Sequence, residues 1–89
     1  MEITQRASKD ATVLDVNGDL TYSNRAAFKT AVEQVKSRNC QHLIVNLEQV
    51  RFVDSSGLGL LVLMSQSFKL TQAKFSLLKP QSYVREIMS

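Results

Sequence analysis

The chain switches between two hydrophobic periods, and the switches mark its elements. Residues 1–7 read as a strand whose one strong apolar side chain is Ile3. Ser8-Lys9-Asp10 is polar and turn-like. Val13, Leu14 and Val16 predict a second strand over 11–16, antiparallel to the first across that short turn. Asn17-Gly18-Asp19 then breaks the pattern. Ala27, Phe28, Ala31, Val32 and Val35 recur at helical spacing, with Arg25, Lys29, Glu33 and Lys36 on other faces. This spacing predicts a helix over 24–38, with Ser23 or Asn24 as the N-cap and Asn39 as a left-handed stop.

Residues 42–47 contain Leu43-Ile44-Val45, a run apolar on both faces that suits the buried middle of a partly parallel sheet. Phe52 and Val53 carry the apolar character on to Asp54-Ser55-Ser56-Gly57. A second helix is predicted over 56–70. Ala73, Phe75 and Leu77 alternate with Lys74 and Ser76, which predicts a fourth strand over 73–78. Pro80 suits the first turn of a third helix, where its missing N–H would have no partner anyway. Tyr83, Val84 and Ile87 give that helix its apolar face, with Tyr83 read as a core residue.

The order is β-β-α-β-α-β-α. Strands separated by helices imply right-handed crossovers and a mostly parallel sheet. The expected fold is a single α/β domain over 1–89, a mixed sheet of about four strands with helices packed against it. The third helix has barely two turns before Ser89. It reads as a short docking helix, or as a chain truncated relative to its relatives.

Composition adds bounds to this picture. A chain of 89 residues with 44% hydrophobic and 21% charged residues suits one small globular domain. The formal charge of +3 is modest, and the Lys and Arg residues are scattered. No basic stripe or aromatic-basic interleaving points to nucleic acid. The single Cys40 excludes an internal disulfide, fits a reducing cytoplasm, and reads as a small apolar filler. No signal peptide is visible, and the nearly apolar run 58–64 is too short to span a bilayer.

Candidate chemistry is sparse. His42 is the only histidine, and no Cys/His cluster has metal spacing. There is no G-x-S-x-G elbow and no phosphate-binding G-x-x-x-x-G-K-[ST] loop. No cofactor and no enzymatic activity are expected. Attention therefore falls on the serine turn. The first N–H groups of a helix have no internal partners, and Asp and Ser side chains can satisfy them, so one reading makes these residues caps only. Gly57 and Gly59 would let the backbone turn and approach its neighbours closely.

A second reading is regulatory. A phosphoserine brings up to two negative charges and strong acceptor oxygens, which a helix N-terminus accommodates. Phosphorylation there should switch a docked partner and leave the fold intact. The second helix supports docking, because Leu58, Leu60, Leu61, Val62, Leu63 and Met64 cover nearly every direction around its axis. Leu60, Met64 and Ser67 share one line, and Leu61, Ser65 and Phe68 another. Periodicity leaves open which line faces the sheet. Tyr22 could lie near the serine turn, although packing is its more ordinary role.

At these residues the chain resembles a known family. Val53-Asp54-Ser55-Ser56-Gly57-Leu58-Gly59 looks like the phosphorylation motif of STAS domains, the anti-sigma factor antagonists and their sulfate-transporter relatives. Leu43-Ile44-Val45-Asn46-Leu47 is similar to the family's central strand, and Val16-Asn17-Gly18-Asp19-Leu20 to the turn ending its second strand. The resemblance runs from Ile3 to about Ile87.

It implies a non-enzymatic, cytoplasmic regulator. Such an antagonist binds a serine/threonine kinase-type anti-sigma factor in a partner-switching pathway. The kinase phosphorylates the serine after the Asp, the complex dissociates, and a PP2C-type phosphatase resets the domain. By position the serine is Ser55, with Ser56 as second choice. Asp54 would cap the helix or orient Ser55. Gly18, Asp19, Thr21 and Tyr22 would help form the docking face, with Ser56, Gly57, Leu58, Leu60 and Met64 beside them. Antagonists often carry an acid where this chain has Thr21. A monomer without nucleic-acid or membrane partners is expected. The alternative is a subunit of an ABC-type or sulfate-transporter-like complex that has no phosphoswitch.

Overall fold

The computed structural model describes residues 1–38 and 40–88. The elements are β1 (Glu2–Ser8), β2 (Ala11–Asn17), α1 (Arg25–Lys36), β3 (His42–Gln49), α2 (Ser55–Leu70), β4 (Lys74–Leu78) and α3 (Ser82–Met88). The β-β-α-β-α-β-α order is the one the sequence pattern predicts. The strands form one sheet in the order β1-β2-β3-β4. β1 and β2 pair antiparallel from Glu2 opposite Asn17 to Ser8 opposite Ala11, while β2–β3 and β3–β4 are parallel.

The monotonic strand order decides where the helices go. Both crossovers, β2-α1-β3 and β3-α2-β4, step in the same direction across the sheet. Right-handed crossovers of that kind place both helices on one face. The core reflects this. Leu14, Val16, Leu43, Val45 and Leu47 from the sheet meet Phe28, Val32 and Val35 of α1, Leu60, Leu61 and Phe68 of α2, and Val84 of α3 in one cluster. Phe68 stacks tilted on Phe75 with ring centroids 5.5 Å apart. Lys36 reaches from α1 to the backbone oxygen and hydroxyl of Ser67 on α2.

The expectation that β3 is buried on both faces fails for the same reason. Leu43, Val45 and Leu47 are buried, but Ile44 and Asn46 point to the other face and are only half-buried. That face carries a polar network: Arg6 Nε donates to Asp15 at 2.6 Å, and Asn46 Nδ2 donates to Asp15 at 2.8 Å. His42 Nε2 lies 2.9 Å from the Ser76 hydroxyl on the same row. His42 is thus tied to a neighbouring strand. Cys40 is half-buried against the core, its thiol donating to the His42 carbonyl at 3.2 Å.

Several boundaries move. Asn24 precedes α1, yet its side chain makes no capping bond; its amide donates instead to the Asp19 carbonyl at 2.8 Å. The helix is capped at its other end by Ser37, whose N–H reaches Glu33, and Asn39, expected as the stop, lies outside the described residues. Pro80 sits ahead of α3 and not in its first turn. Gln81 fills the capping place, with its carbonyl accepting from Val84 and Arg85 and its side chain donating to the Val50 carbonyl. Within α3 only Val84 is buried, while Ile87 is exposed and Tyr83 is partly so. Tyr83 is therefore no core residue: its ring stays near the surface and its hydroxyl accepts the Val53 N–H at 2.8 Å.

Candidate functional site

The serine turn is built by two strand ends and a helix start held together through the backbone. β3 ends at Gln49, and residues 50–54 lead to α2. Val53 forms an isolated parallel bridge with Leu20, which follows β2. Leu20 donates to the Phe52 carbonyl at 3.0 Å, and Asp54 donates to the Leu20 carbonyl at 3.2 Å. The β2–α1 loop, carrying Gly18 through Asn24, is thereby strapped to the mouth of α2. Gly18 has φ +117°, a left-handed conformation that favours glycine, and it lets the loop leave β2 sharply.

Asp54 is the N-cap of α2. One carboxylate oxygen accepts the Gly57 N–H at 2.8 Å and the other accepts the Tyr22 N–H at 3.0 Å. One side chain thus satisfies a helix donor and a loop donor together. These bonds hold its carboxyl below the usual carboxylate range. The Gly57 N–H contributes most, the Tyr22 N–H next, and the Ser56 N–H and the Arg25 charge add to them.

Gly57 is glycine because of close approach. A Cβ there would stand 2.3 Å from the Leu20 carbonyl oxygen and 2.9 Å from Leu20 Cγ. Gly59 is different: a Cβ there would meet nothing within 4 Å, so the close-approach role expected of both glycines belongs to Gly57 alone.

Ser55 is the first residue of α2 and is exposed. Its hydroxyl makes no hydrogen bond to another described residue. Ser56 is half-buried. The capping function therefore falls on Asp54, and the exposed Ser55 hydroxyl is not used by it.

The other predicted site residues divide. Asp19 and Tyr22 are exposed beside the turn, and Gly18 and Thr21 are half-buried there. Tyr22 is 71% exposed, so its packing reading is corrected: its backbone is fixed by Asp54 while its ring projects into solvent. Leu60 is 1% exposed and Gly57 is buried, because that line of α2 faces the sheet and Leu20. Leu60 therefore has no surface to offer a partner. Leu58 and Met64 pack half-buried against the core.

The exposed line of α2 runs instead through Ser55, Gly59, Leu63, Gln66 and Leu70. Leu63 is 55% exposed, and Phe52, just before the turn, is 53% exposed. Sequence reasoning missed both as surface residues. Counting in fours from Ser55 reaches Gly59 and then Leu63, so the helical period held the signal once Ser55 was set outward.

The STAS domain family model matches residues 2–89. The anti-sigma F factor antagonist of Paenibacillus polymyxa is 22% identical over 63 residues, 70% of this chain. That match spans only 54% of the relative's length. The solved structure of the anti-sigma factor antagonist SpoIIAA in its unphosphorylated form superposes with a TM-score of 0.79 at 19% identity, covering 97% of this chain and 80% of SpoIIAA. TM1081 of Thermotoga maritima superposes with a TM-score of 0.85 at 23% identity, covering 97% of this chain and 74% of that one. Likeness at these identities carries the fold. Among the described residues, no helix is long and apolar enough to cross a membrane.

Proposed function

The chain belongs to the STAS family, and from that premise we propose that it is an anti-sigma factor antagonist-like regulator switched by phosphorylation of Ser55. In the unphosphorylated state it binds a serine/threonine kinase that doubles as an anti-sigma factor or related regulator. The kinase transfers the terminal phosphoryl group of ATP to Ser55 Oγ. The new O–P bond replaces the bond to ADP, ADP leaves, and the hydroxyl proton passes to the kinase. A PP2C-type phosphatase returns the serine. The domain itself performs no chemistry and works in the cytoplasm.

The observation that supports this most is the division of labour at the turn. Asp54 accepts the Gly57 and Tyr22 N–H groups, and Ser55 stands exposed with its hydroxyl unengaged by any described residue. A serine needed only as a cap would spend its oxygen on the helix. The docking surface follows from the same geometry: Tyr22 and Phe52 flank the turn, and Gly59 and Leu63 continue from Ser55 along α2. A phosphate on Ser55 would put a dianion among apolar contacts, and desolvating it there would expel the partner. The helix itself tolerates that charge at its N-terminus.

The test is a binding measurement with the kinase encoded nearest to this domain. Incubation with ATP should add one phosphate, located on Ser55 by mass spectrometry. Ser55→Ala should keep kinase binding, and Ser55→Asp should weaken it while unfolding near the wild-type temperature. Equal affinity of the wild type, Ser55→Ala and Ser55→Asp would refute the switch. It is also the outcome expected of a transport-complex subunit that docks regardless of Ser55.

A further inference from the structure

We propose that a second copy of this chain docks on β1, through antiparallel pairing of the two β1 strands about a twofold axis at Thr4. β1 stands at one end of the sheet and pairs only with β2. Its outer row of backbone N–H and C=O groups is therefore a template for another strand. Six of its seven residues are exposed, and Ile3 is half-buried. Its pairs with β2 run in unbroken register from Glu2 to Ser8, so no bulge twists the edge away. It carries no proline and no lysine. The opposite edge is guarded differently: β4 is shorter, with Lys74 at its start and Lys79 just past its end.

The charges select the occupant. Glu2, Thr4 and Arg6 alternate onto one face of β1, the face away from the helices, where Arg6 bonds Asp15. Pairing about Thr4 sets Glu2 of each copy opposite Arg6 of the other, so two ion pairs form on that face. A register slipped by two residues sets Glu2 against Thr4 or Ser8 and loses both pairs. A slip of one sets Glu2 against Gln5 or Ala7 and turns the helices of the second copy to the opposite face. Arg6 is prepared for the contact. Asp15 holds its Nε and one Nη, and the other Nη still has donors to give. Glu2 enters no ion pair with a described residue.

The twofold axis lies normal to the sheet. The two sheets join into one continuous sheet, with all helices on one face and both Arg6–Asp15–Asn46 networks on the other. The contact is main-chain hydrogen bonding with two ion pairs and little apolar burial, so the dimer is weak and reversible. The family resemblance implies a monomer; the β1 edge adds a dimer that forms as concentration rises. α2 belongs to the β3–β4 crossover at the other end of the sheet, so both Ser55 turns stay open. Dimerisation is thus independent of the role of Ser55.

Sedimentation equilibrium on the full chain at low salt, from about 10 µM to about 1 mM, should show a monomer–dimer equilibrium with a dissociation constant on the order of 10⁻⁴ M. Glu2→Arg alone and Arg6→Glu alone each set like charges opposite, and each should weaken association about tenfold. Their equimolar mixture should recover it, because each variant then offers the other the opposite charge. Thr4→Lys sets two ammonium groups across the axis and leaves Asp15 its partner. It should weaken the dimer as well, which keeps the test standing if Arg6→Glu unfolds. In the isotopically labelled wild type, amide shifts should move with concentration along β1 and stay fixed along α2 and β4. A wild type that stays monomeric at the top concentration, a mixture of folded variants no stronger than its components, association unmoved by Thr4→Lys, or shifts confined to α2 or β4 would overturn the proposal.

Discussion

Gly57→Ala puts the geometry of the serine turn to its sharpest test. The added Cβ would lie 2.3 Å from the Leu20 carbonyl oxygen, 2.9 Å from Leu20 Cγ and 3.0 Å from the Leu20 carbonyl carbon. Two of these three atoms are backbone, and Leu20 is fully buried, so no flexible side chain can swing away. Relief needs the Leu20 segment to move away from α2. That strains the two bonds of the bridge, Leu20 N–H to Phe52 and Asp54 N–H to Leu20.

Overpacking of this kind costs about 1–3 kcal/mol, and each weakened hydrogen bond adds roughly 1 kcal/mol. Replacing glycine in a helix returns about 1 kcal/mol. The net expectation is a loss of about 2–4 kcal/mol, or a melting temperature lower by roughly 10–25 °C for a domain of this size. Gly59→Ala is the matched control, two residues along the same helix with open space around it. It should gain up to about 1 kcal/mol. Urea denaturation followed by circular dichroism reads both, and the slopes should stay equal. If Gly57→Ala and Gly59→Ala agreed within about 0.5 kcal/mol, the close approach to Leu20 would be wrong.

Three further outcomes are expected. Gln72 holds φ +61° at the end of α2, with its N–H bonded to Lys69 and the Ala73 N–H bonded to Phe68. This is the position that favours glycine, so Gln72→Gly should raise stability by about 1 kcal/mol in the same assay. Asp54 and Asp15 both have lowered carboxyl pKa values, Asp54 mainly from the Gly57 N–H and Asp15 mainly from Arg6. Groups depressed in the folded state contribute fully above the unfolded carboxylate pKa of about 3.9, and the contribution fades as pH falls through the folded value. Melting temperature should therefore be flat near neutrality and drop in acid, and Asp54→Asn should show a shallower drop from a lower plateau. Lastly, Leu63→Asp should weaken kinase binding at least tenfold in calorimetry while leaving the melting temperature nearly unchanged, whereas Leu60→Ala should lower stability by about 2–5 kcal/mol.

Much of this protein was legible from period and composition. Helix residues Phe28, Val32 and Val35 announced their burial by spacing, and the strand run Leu43 to Leu47 announced a central strand. The Asp-Ser-Ser-Gly turn between an apolar strand and an apolar helix marked the site, because a helix start needs acceptors and those residues supply them. What local pattern could not decide was direction. An all-apolar α2 looks the same from every side, and only the packing of α1, α2 and α3 on one sheet face turns Leu60 inward and Leu63 outward. The same one-sided packing leaves Ile44 half-exposed in a strand that reads as buried on both faces.

The roles inside the turn were likewise settled at a distance. Tyr22 and Leu20 lie more than thirty residues from Asp54 and Gly57 in the chain. Yet it is their N–H and carbonyl groups that occupy the Asp54 carboxylate and forbid a side chain at Gly57. Sequence alone determined that a polar, serine-bearing turn opens the second helix, since that depends on residue types a few positions apart. Only the tertiary structure decided which loop N–H takes the second oxygen of Asp54 and which glycine is obligatory, since each depends on a partner that folding brings from the end of another strand.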